Sequence, residues 1–247
     1  MCIRDRYEIN PPKVFDSPDR LEVLLARIEQ ISKLCDGIHL TDSVLGVERL
    51  SPLILGTEIK HKFPELNITI SLRVIDKNLK EISSLVEASI KAKLDGVLVL
   101  MGDPSKTMHK NSGVIPSKAV QELVNSHYND KIEIFLSLPS NPNFEKITKK
   151  IIAKPNGFVT QVIQDISQVQ RISSHLQPKE FRIIPCVLYP SEKNSKSADF
   201  LNLNWSSYDN NFSEFVKKIE QITNDVLLTS PNDFKGALEF LTRLQND

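Results

Sequence analysis

The sequence predicts an α/β fold, a single-domain (β/α)8 barrel of the TIM type, and three observations predict it. Short apolar runs alternate with longer amphipathic stretches eight times along the 247 residues, which argues for a parallel sheet. The runs are nearly all apolar, as strands covered on both faces are. The length is also that of a closed barrel, about 250 residues. An open doubly wound sheet could carry eight strands too, but eight βα repeats in this length fit closure better.

The elements follow in order. The first run is residues 7–9, and the helix after it spans 18–34, with Leu21, Leu24, Leu25, Ile28 and Ile31 on one face at the helical period. Asp16-Ser17-Pro18 supplies its start signal, a capping residue followed by proline in the first turn. The second run is 37–40, with a helix after Ser51-Pro52. The third is 68–72, with a helix at 79–93. The fourth, valine-rich, is 96–100, with a helix at 117–126. The fifth run, 132–136, precedes a helix at 144–153, and the sixth, 157–159, a helix at 167–176. The seventh is 181–188. Two helical pieces, 194–201 and 212–222, separate it from the eighth, 226–228, and a helix at 232–244 follows. The first six residues fit this pattern badly. Arg4, Asp5 and Arg6 put three charges directly before the first run, where a barrel strand would not normally carry them. The segment also resembles a translated sequencing-adaptor remnant, so residues 1–6 are expected to be a non-native leader outside the fold.

Composition excludes several functions. Formal net charge is zero, whereas nucleic-acid or anionic-membrane binding would want a basic face. No apolar run approaches the ~18 residues that span a bilayer, and no signal peptide is visible. Cys2, Cys35 and Cys186 are scattered without metal-ligand spacing, so a reduced, cytoplasmic protein is expected. The five histidines, at 39, 61, 109, 127 and 175, show no HxH or HxxxH pair, so no metal is expected. There is no GxGxxG, Walker A or GxSxG element.

Barrel chemistry sits at the carboxyl ends of the strands, which singles out the residues after each run. Glu8 lies within an apolar run just before Pro11-Pro12. Desolvated at the mouth it would have a raised pKa and could act as a general acid; at a frayed terminus it would be an exposed glutamate. Asp103 follows a fully apolar run through Gly102, where glycine lets backbone approach a ligand. It reads equally as a turn or cap aspartate before proline, and Asp42 and Asp76 share that ambiguity. Gln161 offers the donor and acceptor that a heterocycle edge needs, or is a satisfied buried amide. Lys149, Lys150 and Lys154 read as a solvated helix face.

Taken in order, these segments resemble the methylenetetrahydrofolate reductase family. Residues 7–13, Tyr-Glu-Ile-Asn-Pro-Pro-Lys, resemble its opening F-E-F-F-P-P-K. Residues 40–43 resemble its second-strand threonine segment, 71–78 its H-L-T-C-R-D-R-N, and 100–104 its L-R-G-D or L-T-G-D-P. Residues 158–161 resemble A-I-T-Q and 184–187 resemble I-P-G-I. Six segments in order span nearly the whole chain. Ser71 stands in place of the family's histidine and Met101 in place of its arginine, and Asp42 stands where bacterial members often carry an aromatic residue.

The resemblance implies a flavoprotein oxidoreductase of one-carbon metabolism and methionine biosynthesis. Bound FAD would reduce 5,10-methylenetetrahydrofolate, or a related pterin, to the 5-methyl form. Electrons would come from NAD(P)H or a protein donor. It implies Glu8 as the acid that opens the substrate's five-membered ring and Asp103 as a residue near flavin and folate. Gln161 would bind the pterin. Thr41, Ser71, Arg73, Gly102, Asp103 and Lys150 would hold the flavin at the mouth between the second and fifth strands, with Arg73 supplying the charge that Met101 lacks. A homo-oligomer is left open. Two other readings stand beside this one: a flavin-free pterin methyltransferase with a cobalamin partner, and a folate-binding subunit of a larger complex.

Overall fold

The computed structural model describes residues 4–17, 19–43, 46–103 and 113–246. Eight parallel strands form a closed barrel in the order β1-β2-β3-β4-β5-β6-β7-β8. The strands are β1 (Arg4–Ile9), β2 (Gly37–Leu40), β3 (Asn67–Arg73), β4 (Gly96–Leu100), β5 (Glu133–Leu138), β6 (Gly157–Val162), β7 (Arg182–Leu188) and β8 (Asp225–Thr229). Helices α1 (Asp19–Ile31), α2 (Pro52–Lys62), α3 (Leu79–Lys91), α4 (Pro116–Asn125), α5 (Thr148–Ile152) and α6 (Ile166–Leu176) follow the first six strands in turn. α7 (Ser195–Phe200) and α8 (Phe212–Thr223) lie between β7 and β8, and α9 (Phe234–Asn246) follows β8. The fold is the expected (β/α)8 barrel. Among the described residues no helix is long and apolar enough to cross a membrane.

Strand alternation divides the core into two. Val97 and Val99 of β4, and Val226 and Leu228 of β8, pack outward beneath the helices. Leu98, Phe135, Val159, Ile184, Cys186 and Leu227 form a separate cluster inside the barrel. Local signals fix the helix starts. Asn78 and Glu81 form a capping box at α3, and Asp165 and Gln168 form one at α6, each satisfying two orphan N–H groups. Proline opens α2 and α4, where its missing N–H costs nothing. The helix expected at 144–153 is shorter, Thr148–Ile152, and is preceded by a turn in which the Asn143 side chain accepts from the N–H groups of Glu145 and Lys146.

Residues 4–6 of the expected leader lie within the fold. Arg4, Asp5 and Arg6 extend β1, opposite Asp225, Val226 and Leu227 of β8; Met1–Ile3 lie outside the described residues. The strand tolerates the charges of Asp5 and Arg6 because both meet ionisable groups of other elements at the amino end of the barrel. Buried Arg6 donates to Asp225 Oδ1 at 2.8 Å and lies 4.0 Å from Glu133. Arg182 donates to both carboxylates, Nε to Asp225 Oδ2 at 2.7 Å and Nη1 to Glu133 Oε1 at 2.6 Å. Asp5 faces Glu220 of α8. Burial, then the nearby Asp5 charge, pushes the Glu220 carboxyl up to about 8.

Two predictions follow from this floor of charges. Asp225 is the acceptor for two guanidinium groups, so Asp225→Ala strands both and should cost about 3 kcal/mol in chemical denaturation. Glu220 binds its proton more tightly folded than unfolded. Its contribution is therefore complete below about pH 4.5 and lost as pH rises toward 8. Glu220→Gln should flatten the fall in melting temperature between those values, and an unchanged pH profile would count against the raised Glu220 carboxyl.

Candidate functional site

At the carboxyl ends of the strands a cleft of about 1160 Å³ opens over β1, β6, β7 and β8. Its floor holds Glu8, Thr160, Gln161, Cys186, Leu188 and Thr229, and its walls come from α1, α7 and the loops after β1, β2 and β8. Parity explains the floor: Glu8, Cys186 and Thr229 sit two residues beyond Arg6, Ile184 and Leu227, so the same inward face that carries ion pairs and apolar side chains below ends in polar groups above.

Glu8 is not at a frayed end. It is paired in register with His39 of β2 and accepts a hydrogen bond from Thr229 Oγ1 at 2.7 Å. Burial pushes its carboxyl above the usual carboxylate range, and the Thr229 bond offsets this only in part. The buried Cys186 thiol is pushed well up by burial and by Glu8, so it stays protonated beside it. A raised carboxyl is the kind of group that general acid chemistry uses. Gln161 is exposed to the cleft and is no satisfied core amide. It lies where the β6–β7 register shifts, between Val159 and Val162. There Thr160 Oγ1 accepts the Cys186 N–H at 3.0 Å.

The residues tied to a flavin line a different part of the barrel. Thr41 donates to Asn10 Oδ1 at 2.7 Å. Ser71 is buried inside the barrel, 2.9 Å from His39 Nε2, while His39 Nδ1 lies 2.8 Å from Thr69 Oγ1. Burial and the Arg6 charge hold His39 neutral, its pKa down at about 3. Lys150 is no solvated lysine: it reaches from α5 to donate to the Ser137 carbonyl at 2.5 Å, and burial lowers its pKa. Arg73 binds Asp76 at 2.7 Å and the Asp103 carbonyl at 3.4 Å. Gly102 has φ +84°, and a Cβ there would stand 1.8 Å from Arg73 Cγ. So Arg73, Asp76, Gly102 and Asp103 do converge at β3 and β4. However, none of the flavin-assigned residues lines the cleft, and Thr41, Ser71, Arg73 and Lys150 each bond within the protein, with only the buried Arg73 Nε left unpartnered among their bonded groups. As described, they do not fit an isoalloxazine ring; residues 104–112, which follow directly, lie outside the described residues.

Sequence reasoning missed three features. Thr229 had only its place after the last strand to mark it. Asn194, fully buried, donates to Tyr189 O and Ser230 Oγ and accepts from the Asn232 N–H, which pins α7 over the cleft. The third is a set of cations on the cleft wall, Lys13, Arg20, Arg27, Arg49 and Lys196, which come from three separate stretches of chain. Among the described residues no group of three or more His, Cys, Asp or Glu side chains could hold a metal ion.

No protein-family pattern matches the chain, and no curated protein matches it. Solved structures do. One is an uncharacterized protein from Clostridium thermocellum that binds two copies of 5-methyl-5,6,7,8-tetrahydrofolic acid, with TM-score 0.67 and 17% identity over 97% of this chain and 93% of that one. Another is the GH18 chitinase ChiB from the chitin utilization locus of Flavobacterium johnsoniae, with TM-score 0.59 and 12% identity over 98% and 94%. The chain shares their fold. At these identities the likeness speaks for architecture alone.

Gly102→Ala should destabilise the protein by about 1–3 kcal/mol, through strain at a positive φ and the collision with Arg73. A denaturation midpoint equal to the parent's would show that Arg73 can leave that contact.

Proposed function

We propose that the protein binds a reduced folate in this cleft and uses Glu8 as proton donor in the reduction of 5,10-methylenetetrahydrofolate to 5-methyltetrahydrofolate. The observation that carries the reading is a desolvated carboxyl, bonded to Thr229, on the floor of a cleft at the carboxyl ends of the strands. Opening the methylene bridge requires a proton at the leaving nitrogen, and a carboxyl kept neutral can deliver it. Gln161, open beside it, offers both donor and acceptor to a pterin edge. The fold shared with a protein that binds 5-methyltetrahydrofolic acid supports this choice of ligand. Asp103 stands at the β4 end of the mouth, and we assign it the role of the second carboxylate near the pterin.

The reduction also needs a hydride, and FAD reduced by NAD(P)H or by a protein donor supplies one when bound. Because the described residues form no flavin cradle, a second reading stands: a flavin-free barrel, either a pterin methyltransferase or the folate-binding subunit of a complex. Glu8 serves equally there, since a methyl group leaves the pterin nitrogen more readily as that nitrogen gains a proton.

Glu8→Gln keeps size and removes the acid. It should still bind 5-methyltetrahydrofolate and lose turnover by about 10²–10⁴-fold. Near-native turnover would remove Glu8 from the chemistry, and lost folding would make it structural. The absorbance of the purified protein between roughly 350 and 500 nm separates the two readings, because a bound oxidised flavin absorbs there.

A further inference from the structure

The two carboxyl oxygens of Glu8 stand in different situations. Oε1 accepts the Thr229 hydroxyl at 2.7 Å. Oε2 has no partner among the described residues and is not sealed from solvent, so it opens to the cleft that Glu8 lines. The other groups around this carboxyl are neutral or turned elsewhere. Tyr7 of β1 directs its hydroxyl to the Ser230 carbonyl, and burial pushes its phenol up. His39 of β2 is neutral, with each ring nitrogen against a hydroxyl. Cys186 of β7 is a protonated thiol. Asp16, Lys13, Arg20, Arg27, Arg49 and Lys196 line the same cleft, but the proton affinity of Glu8 answers to burial and the Thr229 bond and not to them. Among the described residues Thr229 is the one hydrogen-bond donor to Glu8.

That donor is held firmly. Leu228 pairs with Tyr7 of β1, and Thr229 pairs with Leu188 of β7, so the next step of the β1 register brings Thr229 beside Glu8. The Thr229 carbonyl accepts the Tyr189 N–H at 2.9 Å. Ser230, the next residue, accepts from buried Asn194 and donates to the Asp233 carbonyl, both at 2.9 Å. Branching at Cβ restricts the threonine rotamer as well. A hydroxyl bonds more strongly to a carboxylate than to a neutral carboxyl, so this bond strengthens as Glu8 gives up its proton. An interaction that strengthens during a step speeds it, whereas one equal in both states does not. Without the hydroxyl, the new carboxylate would be left desolvated and without a donor, which is costly.

We propose that Thr229 is the positioning residue of the acid: it occupies Oε1, so that the proton sits on Oε2 facing the ligand, and it stabilises the carboxylate left when that proton goes. The proposal rests on the folate reading of the cleft. In that reaction the Oε2–H bond breaks and an N–H bond forms at the leaving nitrogen. The electron pair of the cleaved C–N bond goes to the same nitrogen. The one-carbon unit left on the other nitrogen then takes the hydride that the proposed reduction needs.

The test uses the full chain, two variants and two readouts. Thr229→Val removes the hydroxyl and keeps the branched shape; Thr229→Ser keeps the donor. The first readout is the infrared carbonyl band of the protonated Glu8 carboxyl, identified by its loss in Glu8→Gln and followed against pH. The Thr229 bond favours the ionised form, so its removal raises the proton affinity of Glu8, and in Thr229→Val the band should persist to higher pH than in the parent. The second readout is reduction of methylenetetrahydrofolate by reduced FAD across the same pH range. An acid works while protonated, so turnover falls as pH rises through its pKa. In Thr229→Val that fall should move to higher pH while the plateau rate drops about tenfold or more. Thr229→Ser should restore the band, the profile and most of the rate. A band that titrates alike in the parent and Thr229→Val overturns the assignment. So does a slower Thr229→Val with an unmoved profile, which marks a structural loss, or a Thr229→Ser that behaves as Thr229→Val. If Thr229→Val does not fold, Thr229→Ala takes its place in both readouts. If the parent does not reduce the folate, the folate reading falls, and the infrared titration still decides whether Thr229 holds Glu8.

Discussion

Closing eight parallel strands into a barrel sends every second side chain of each strand into one narrow interior, and both ends of that interior depend on what this parity delivers. In β1 it delivers Arg6 and then Glu8, in β7 Arg182, Ile184 and Cys186, and in β8 Asp225, Leu227 and Thr229. The lower members form a ring of ion pairs around Asp225. The middle members form the apolar inner core. The upper members form the floor of the cleft. A one-residue slip of β1 would exchange Glu8 for Tyr7 or Ile9 and remove both its partners and its desolvation.

The two polar ends are opposite solutions to one cost. Charges at the amino end are neutralised by geometry, with carboxylate and guanidinium bonded directly, because buried ions are tolerable only when paired. At the carboxyl end Glu8 has only the Thr229 hydroxyl against it, so burial raises its affinity for a proton. That difference leaves one end closed by ion pairs and the other with a buried carboxyl that no cation pairs. His39 belongs to the first kind: buried, neutral and bonded to two hydroxyls, it carries a polar layer across the barrel without presenting a group to the mouth.

How much of this was legible in the sequence varied with the range of the interaction. The eight strands could be read, because apolar runs and helical periods are local patterns. Helix starts at Pro52 and near Asn78 could be read for the same reason. The 144–153 stretch was read too long: only Thr148–Ile152 is helical, after a turn that starts at Asn143. The charges of β1 were misjudged because their partners, Asp225 and Glu133, lie far along the chain. Glu8 stood out from its apolar neighbours, but Thr229, which orients it, is 221 residues away.

By itself, the sequence determined the alternation that makes this a barrel, the inward parity of Glu8, and the placing of Gly102 just after β4 and of Gln161 near the end of β6. Those are properties of neighbouring residues and of a fixed strand period. Only the tertiary structure decided which polar groups are used up and which are open. It bonds Thr41, Ser71, Arg73 and Lys150 to partners within the protein, leaves Gln161 facing the cleft, and gathers Lys13, Arg20, Arg27, Arg49 and Lys196 from three stretches of chain onto one wall. Desolvation and charge depend on distance in space, and for these groups closure of the barrel sets that distance.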